Sequence, residues 1–135
     1  MPDWVRQAYE DYTRRLRSSM RVDLEELPTG KSKAEEEKRI LERVGDDYLV
    51  ALDEHGKSLT TVELSKWLAQ RQQDGRNLSF VIGGPDGHGP EVLKKAQLRW
   101  SLSALTFPHA MVRVILAEQL YRAHSVLQNH PYHRE

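Results

Sequence analysis

The feature that most constrains this chain is an alternation of short apolar runs with longer stretches of helical periodicity. "YLVAL" (Tyr48 to Leu52) is apolar without interruption, as expected of a strand covered on both faces, and "LSFVI" (Leu78 to Ile82) reads as a second buried strand. Strands alternating with helices predict an α/β domain with a mostly parallel sheet flanked by helices. In such sheets ligands sit beyond the carboxyl ends of the strands. Three segments leave strand ends with unusual residues: Asp53 to Lys57, Gly83 to Gly89, and Ser103 to His109. Their convergence in space is the central structural expectation.

The intervening helices carry start and stop signals. Asp3 is placed to cap a first helix whose apolar positions Trp4, Val5, Ala8, Tyr9, Tyr12 and Leu16 recur at helical spacing. Val22 and Leu24 alternate with charges as a short strand would, and Pro28 and Gly30 end it. Residues 34 to 44 read as a charged surface helix with Ile40, Leu41 and Val44 facing inward. Thr60 and Glu63 form a capping-box pattern ahead of Leu64, Trp67 and Leu68, and Asp74-Gly75 stops that helix. A further helix is expected from about Pro90 to Arg99, "LSALTF" (Leu102 to Phe107) as a third strand or an extended loop, and a long apolar helix from about Ala110 to Leu127.

At 135 residues the chain predicts one domain spanning 1–135, large enough to bury roughly two-thirds of its unfolded surface. Lysine plus arginine and aspartate plus glutamate both count 20, which argues against a single broad basic face for RNA, though a local basic site stays open. Without cysteine there is no disulfide, thiol catalysis or thiolate metal site. No apolar stretch approaches the roughly 20 residues that cross a bilayer, and the N-terminus carries charges in place of a signal-like apolar run. A cytoplasmic protein with no membrane partner is the expectation.

The sharpest local feature is "IGGPDGHG", in which Gly83, Gly84, Gly87 and Gly89 follow directly on a strand. Glycines there admit either a ligand close to the main chain or simply a tight strand-to-helix turn. The spacing is not G-x-G-x-x-G, and no Lys-Ser/Thr pair follows, so nucleotide phosphates are poorly served. The last helix is apolar nearly all round, from Met111 to Ala123, and must be buried in the core or against another chain. Arg113 interrupts it and calls for a carboxylate or a site, since an unpaired buried charge is costly. Glu118 and Arg122 stand in the favourable order for an i,i+4 ion pair. No histidine pair has metal-ligand spacing, so no metal is expected; His55 and His88 read as surface loop residues, and His109 follows Pro108 at the mouth of the helix. A hydrolase assembled from Ser101 or Ser103 with His109 and Asp53 lacks any nucleophile elbow. The terminal "NHPYHRE" is an ordinary polar tail or, equally, an aromatic and cationic surface for a flipped-out base.

Taken together, "IGGPDGHG", "WSLSALTFPHAMVRVILAEQLYRA" and "NHPYHRE" resemble the signature of the RlmH family, and "LDEHGK" and "PDWV" with its following helix are similar too. The resemblance implies a SPOUT-class enzyme with a trefoil-knotted α/β fold and an obligate homodimer. The implied activity is S-adenosylmethionine-dependent methylation of N3 of a pseudouridine in large-subunit ribosomal RNA, within the assembled ribosome and not on DNA. Carried over by position, Leu52, Gly83, Leu102, Ser103, Ala104, Leu105, Thr106 and Phe107 would hold S-adenosyl-L-methionine. His109, Arg113, Glu118 and His130 would line the RNA side. Arg122 would stabilise the anion formed when N3 loses its proton, while Tyr132 or His133 would accept the proton or position water. Members of the family begin with an additional apolar strand; here Met1 is followed at once by Pro2, Asp3 and Trp4, so that strand is expected to be missing. The alternative to an enzyme is a non-catalytic ligand- or ribosome-binding domain retaining the fold.

Overall fold

The computed structural model describes residues 2–17, 19–84, 87–130 and 132. The chain divides into two compact units, neither of them a continuous stretch. One comprises Leu24–Ser58 and Gly75–Thr106; the other comprises Met1–Asp23, Leu59–Asp74 and Phe107–Glu135.

The first unit holds the sheet. Strand β1 (Tyr48–Ser58) runs between β2 (Leu78–Ile82) and β3 (Leu98–Ser101), and both neighbours are parallel to it. Tyr48 to Leu52 pair in register with Leu78 to Ile82, while Val50 to Leu52 pair with Leu98 to Trp100. The uninterrupted apolar run is thus the central strand, and Leu49, Val50 and Ala51 are buried on both sides of the pleat. Helices α2 (Lys33–Val44) and α4 (Pro90–Lys95) supply Val44 and Val92 to a core shared with Leu49 and Ala51, with Ile40, Leu41, Val81, Leu93 and Ala96 packed around it. Each such aliphatic side chain contributes about 1.5–3 kcal/mol when fully buried. Ser32 caps α2 by accepting from the Glu35 amide at 3.1 Å. Glu37 of α2 accepts from the Val92 amide at 2.9 Å, a carboxylate placed where the first turn of α4 favours negative charge.

Three expectations change here. Val22 and Leu24 keep their alternation of partial burial, but residues 20–30 form no strand. Alternation fixes which side packs; a strand also needs a hydrogen-bonding partner, and residues 20–30 pair with none of the three strands. The helix expected from Pro90 to Arg99 stops at Lys95 because Ala96 turns extended and the Gln97 amide donates to the Leu49 carbonyl at 2.9 Å. That bond feeds Leu98 to Ser101 into the sheet as β3, so "LSALTF" is the loop after a strand. Finally, Asp53 to Lys57 are part of β1, bulged out so that Leu52 and Lys57 both face Trp100. Gly56 makes the bulge possible, since a Cβ there would lie 2.6 Å from the Arg99 carbonyl.

The second unit is helical. α1 (Asp3–Leu16) and α3 (Thr61–Asp74) each pack on α5 (His109–Leu127). α1 contributes Val5 and Leu16 to the interior, α3 contributes Leu64, Ser65 and Leu68, and α5 contributes Ala117, Leu120 and Ala123. The capping box forms as expected, with Thr60 and Glu63 exchanging bonds of 2.9 and 3.1 Å. Asp3, by contrast, is the first helical residue of α1 and not its cap; Pro2 takes that position. Among the described residues no helix is long and apolar enough to cross a membrane.

Candidate functional site

The residues singled out by sequence fall into two groups. In the sheet unit, Leu52 is paired with Ile82 on one side and Trp100 on the other. Gly83 therefore leaves β2, and Leu102 follows the end of β3, at the same carboxyl edge of the sheet where β1 bulges. Hydrogen bonds tie these ends together. His88 Nε2 donates to the Leu52 carbonyl at 2.7 Å, and Thr106 Oγ1 donates to Glu54 at 3.1 Å. The loop from Leu102 is shaped from within: Ser101 Oγ donates to the Ser103 carbonyl at 2.9 Å, and Ser103 Oγ accepts from the Leu105 amide at 3.0 Å. Those contacts occupy the two serine hydroxyls that a hydrolase would need free. Ala104, Leu105 and Thr106 are exposed and make no backbone–backbone bond among the described residues; apart from the Leu105 amide, held by Ser103 Oγ, this leaves their main-chain donors and acceptors open to a ligand.

Gly83 leaves little room for a side chain at this edge. A Cβ there would lie 3.1 Å from the Gly87 carbonyl carbon and 3.3 Å from the His88 ring. The Gly87 amide in turn donates to the Gly84 carbonyl at 3.0 Å and closes the loop on itself. His88 is thus a half-buried brace between this loop and Leu52, where a surface residue was expected; His55 does lie on the surface. Among the described residues no group of three His, Asp or Glu could hold a metal ion.

In the helical unit, Glu118, Arg122 and Tyr132 meet. Arg122 donates through Nε and Nη2 to Glu118 Oε1 at 2.8 and 2.6 Å, the ion pair expected from the i,i+4 spacing. That bond holds the guanidinium in its charged form more firmly than usual. The Tyr132 hydroxyl is 3.2 Å from both Glu118 Oε1 and the Tyr12 hydroxyl; having one proton, it donates to the carboxylate and accepts from Tyr12. Its ring stands edge-on to Tyr121 at 4.6 Å and lies under Arg122 at 5.2 Å. Burial, together with the neighbouring Glu118 carboxylate that accepts its proton, pushes the phenol's pKa well above its ordinary value. A phenol so held is a donor, and its environment opposes the role of proton acceptor.

The tail reaches this position because Asn129 adopts a positive φ of 54° and the His130 amide returns to the Ser125 carbonyl at 2.8 Å. His130 Nδ1 then accepts from the Tyr132 amide at 3.2 Å. Phe107 and the exposed His109 lie at the entry to α5. Arg113 stands near Tyr9, whose pKa is raised by burial and by Asp23 and lowered by Arg113. His133 lies outside the described residues.

Sequence reasoning gave no role to Tyr12, Tyr121 or Glu54: Tyr12 looked like an apolar helix-face residue, and Tyr121 and Glu54 were passed over beside Arg122 and within Asp53 to Lys57. It also missed His124, which is 8% exposed with Nε2 held 3.0 Å from Ser19 Oγ. Burial lowers its pKa, and its buried Nδ1 has no hydrogen-bond partner among the described residues.

Comparison with known proteins gives these groups a setting. A family model described as a predicted SPOUT methyltransferase matches residues 1–133. The chain is 51% identical to the ribosomal RNA large subunit methyltransferase H of Methylobacillus flagellatus, over all of this chain and 93% of that protein. It is 47% identical to the protein of the same name from Alkalilimnicola ehrlichii, covering 99% of this chain and 92% of the relative. It is 48% identical to the one from Hydrogenovibrio crunogenus, covering 100% and 93%. The parallel sheet flanked by helices, with its tight loops gathered at the carboxyl edge, belongs to a chain that is a member of the SPOUT methyltransferase family, in its RlmH branch.

Proposed function

We propose that this chain is an S-adenosylmethionine-dependent methyltransferase that modifies N3 of a pseudouridine in large-subunit ribosomal RNA, acting on the assembled ribosome. The observation that carries the proposal is the carboxyl edge of the sheet, where Leu52, Gly83 and the loop from Leu102 to Thr106 stand at the ends of three adjacent parallel strands. The names of relatives that are about half identical along the whole chain support it.

The residues present suit S-adenosyl-L-methionine. The ligand has no phosphate and so needs no phosphate-binding loop. Its adenine and methionine moieties call for apolar walls and main-chain partners, for which Leu52, Leu102 and Leu105, the carbonyls of Ala104 to Thr106 and the amides of Ala104 and Thr106 are suited. Gly83 keeps the strand end open. Phe107 extends the same loop in sequence. When bound, the cofactor supplies a strongly electrophilic methyl group, so the chain's task is mainly positioning.

The proton on N3 of the base has to leave as the new bond forms. Arg122, kept charged by Glu118, is the group suited to stabilise the resulting anion. Tyr132 orients Glu118 and Arg122 as a donor, and His133 is left as the candidate to accept the proton or position water. His109, Arg113, Glu118 and His130 are read as the RNA side. We also propose a trefoil knot, a single domain over 1–135, a cytoplasmic location and a homodimer through α5. In support of the dimer, Met111, Val112, Val114, Ile115 and Leu116 all remain half-exposed along one apolar helix.

The test is methyl transfer to ribosomes purified from cells lacking the modification, with the labelled nucleotide mapped. One methyl group per ribosome at a single large-subunit pseudouridine is expected. Cofactor binding without any transfer would leave the non-catalytic reading standing instead.

A further inference from the structure

An enzyme of this proposed kind has to hold RNA, yet the two groups above offer it little free charge: Arg122 is matched by Glu118, and the carboxyl edge is built from backbone and apolar side chains. The cations are concentrated elsewhere. Thr13 to Val22 reads TRRLRSSMRV, with four arginines and no acid. Within the helical unit nine of ten lysine and arginine residues are arginine, whereas six of ten in the sheet unit are lysine. The choice of side chain matters because the planar guanidinium presents paired donors that match phosphate oxygens, while lysine offers only a point charge.

A bland explanation covers part of this run. Basic side chains in the last turn of a helix complement its dipole, and Arg14 and Arg15 both reach Asp11, at 2.8 and 3.1 Å. It extends to Arg17 at the C-cap, but not to Arg21, which lies beyond the helix. These two line a solvent-open hollow of about 410 Å³ together with Thr13, Val22 and Asp23. The single acid does not neutralise the hollow. Its pair with Arg21, at 3.0 Å, has an 85% exposed guanidinium side chain, and an exposed pair of this kind contributes at most about 1 kcal/mol. A phosphate can therefore displace the carboxylate at little cost.

We infer that this hollow is a seat for the RNA backbone, in which Arg17 and Arg21 bind phosphodiester oxygens outside the nucleotide that is methylated. The inference rests on the methyltransferase reading and adds to it a docking point that fixes register without reading sequence. Overall neutrality of the chain is compatible with such a seat because the charge is local.

The experiment measures binding of the full chain to ribosomes from cells lacking the modification, across a series of potassium chloride concentrations. The double variant R17Q/R21Q is compared with wild type and with K38Q/K94Q, which removes two exposed charges from the sheet unit. R17Q/R21Q is expected to weaken binding at low salt by tenfold or more and to flatten the plot of log affinity against log salt by roughly 1.4 to 1.8. K38Q/K94Q is expected to match wild type, and all three proteins to bind S-adenosylmethionine equally and melt at the same temperature. R17Q/R21Q with wild-type affinity and slope overturns the seat while leaving the methyltransferase reading intact. Equal losses in K38Q/K94Q overturn it as well, by reducing the effect to net charge. A wild-type chain that binds no ribosomes at any salt concentration overturns both readings together.

Discussion

The carboxyl edge of the sheet and the α1–α5 cluster are built from different materials. At the edge, the groups that the proposed function offers to a ligand are main-chain amides and carbonyls, shaped by Gly83, the Ser103 hydroxyl and the His88 brace on Leu52. In the cluster, the working groups are side chains: a carboxylate, a guanidinium and two phenols within hydrogen-bond reach of one another. A backbone site tolerates truncation of its side chains and is destroyed by added bulk. A side-chain site behaves the other way round.

The largest effect expected from that contrast is at Gly83. Gly83→Val places branched carbons where even a Cβ is 3.1 Å from the Gly87 backbone, so the loop must move. S-adenosylmethionine affinity, read by calorimetry, should fall at least a hundredfold, about 3 kcal/mol, while Ser103→Ala at the same edge should lose less than tenfold. If the two variants bind alike, the edge is not a backbone site. Next in size is Arg122→Ala, for which turnover on ribosomes should drop about a hundredfold with cofactor affinity unchanged, the scale of removing one charge-stabilising donor. Arg122→Lys should recover little, since one ammonium cannot reproduce the two bonds to Glu118. A loss of cofactor affinity in either variant would merge the two regions that the comparison keeps apart.

The same contrast explains what the sequence made legible. The i,i+4 order of Glu118 and Arg122 and the Thr60/Glu63 capping box are local rules, and both appear as written. YLVAL was recognisable as a buried strand because burial on both faces suppresses alternation. What was not legible depends on partners distant in the chain. Val22 and Leu24 alternate as a strand does, but no local pattern reveals whether an edge is free to receive them. The short α4 was overrun because the capture of Gln97 by Leu49 is a contact across 48 positions. Tyr12 carries no mark of its partnership with Tyr132, 120 residues away. Backbone sites are the extreme case, because main-chain groups are the same at every position and only the glycines hint that one is being used.

Tyr132→Phe sharpens the side-chain half of the comparison with a smaller effect. Removing the hydroxyl deletes one bond to Glu118 and one from Tyr12, a loss of about 1 kcal/mol, and turnover should fall less than tenfold with the shape of its pH profile retained. A phenol acting as proton acceptor would instead give a collapse of a thousandfold or more and remove the rise of activity with pH. That result would reverse the reading of its raised pKa, since a phenol stabilised as a donor has no accessible phenolate at neutral pH.

The smallest effect separates the regions by pH. Main-chain groups do not titrate, so any change of cofactor affinity with pH at the carboxyl edge has to come through a side chain such as the His88 brace. The helical unit contains His124, buried against Ser19 with its pKa depressed below the ordinary 6.5 by loss of solvent. The unfolded chain then binds a proton more readily than the folded one, so folding stability is fully present above about pH 6.5 and declines as the pH falls below it. The slope from this residue is at most about 1.4 kcal/mol per pH unit. His124→Gln should retain the contact to Ser19, fold with similar stability at pH 8, and lose this part of the acid sensitivity. Denaturant midpoints of both proteins at pH 5, 6, 7 and 8 provide the check, because the exposed histidines are common to the two and cancel in the difference. Parallel midpoint curves would mean that His124 is charged equally well in both states, and that the helical unit owes its acid response to other groups.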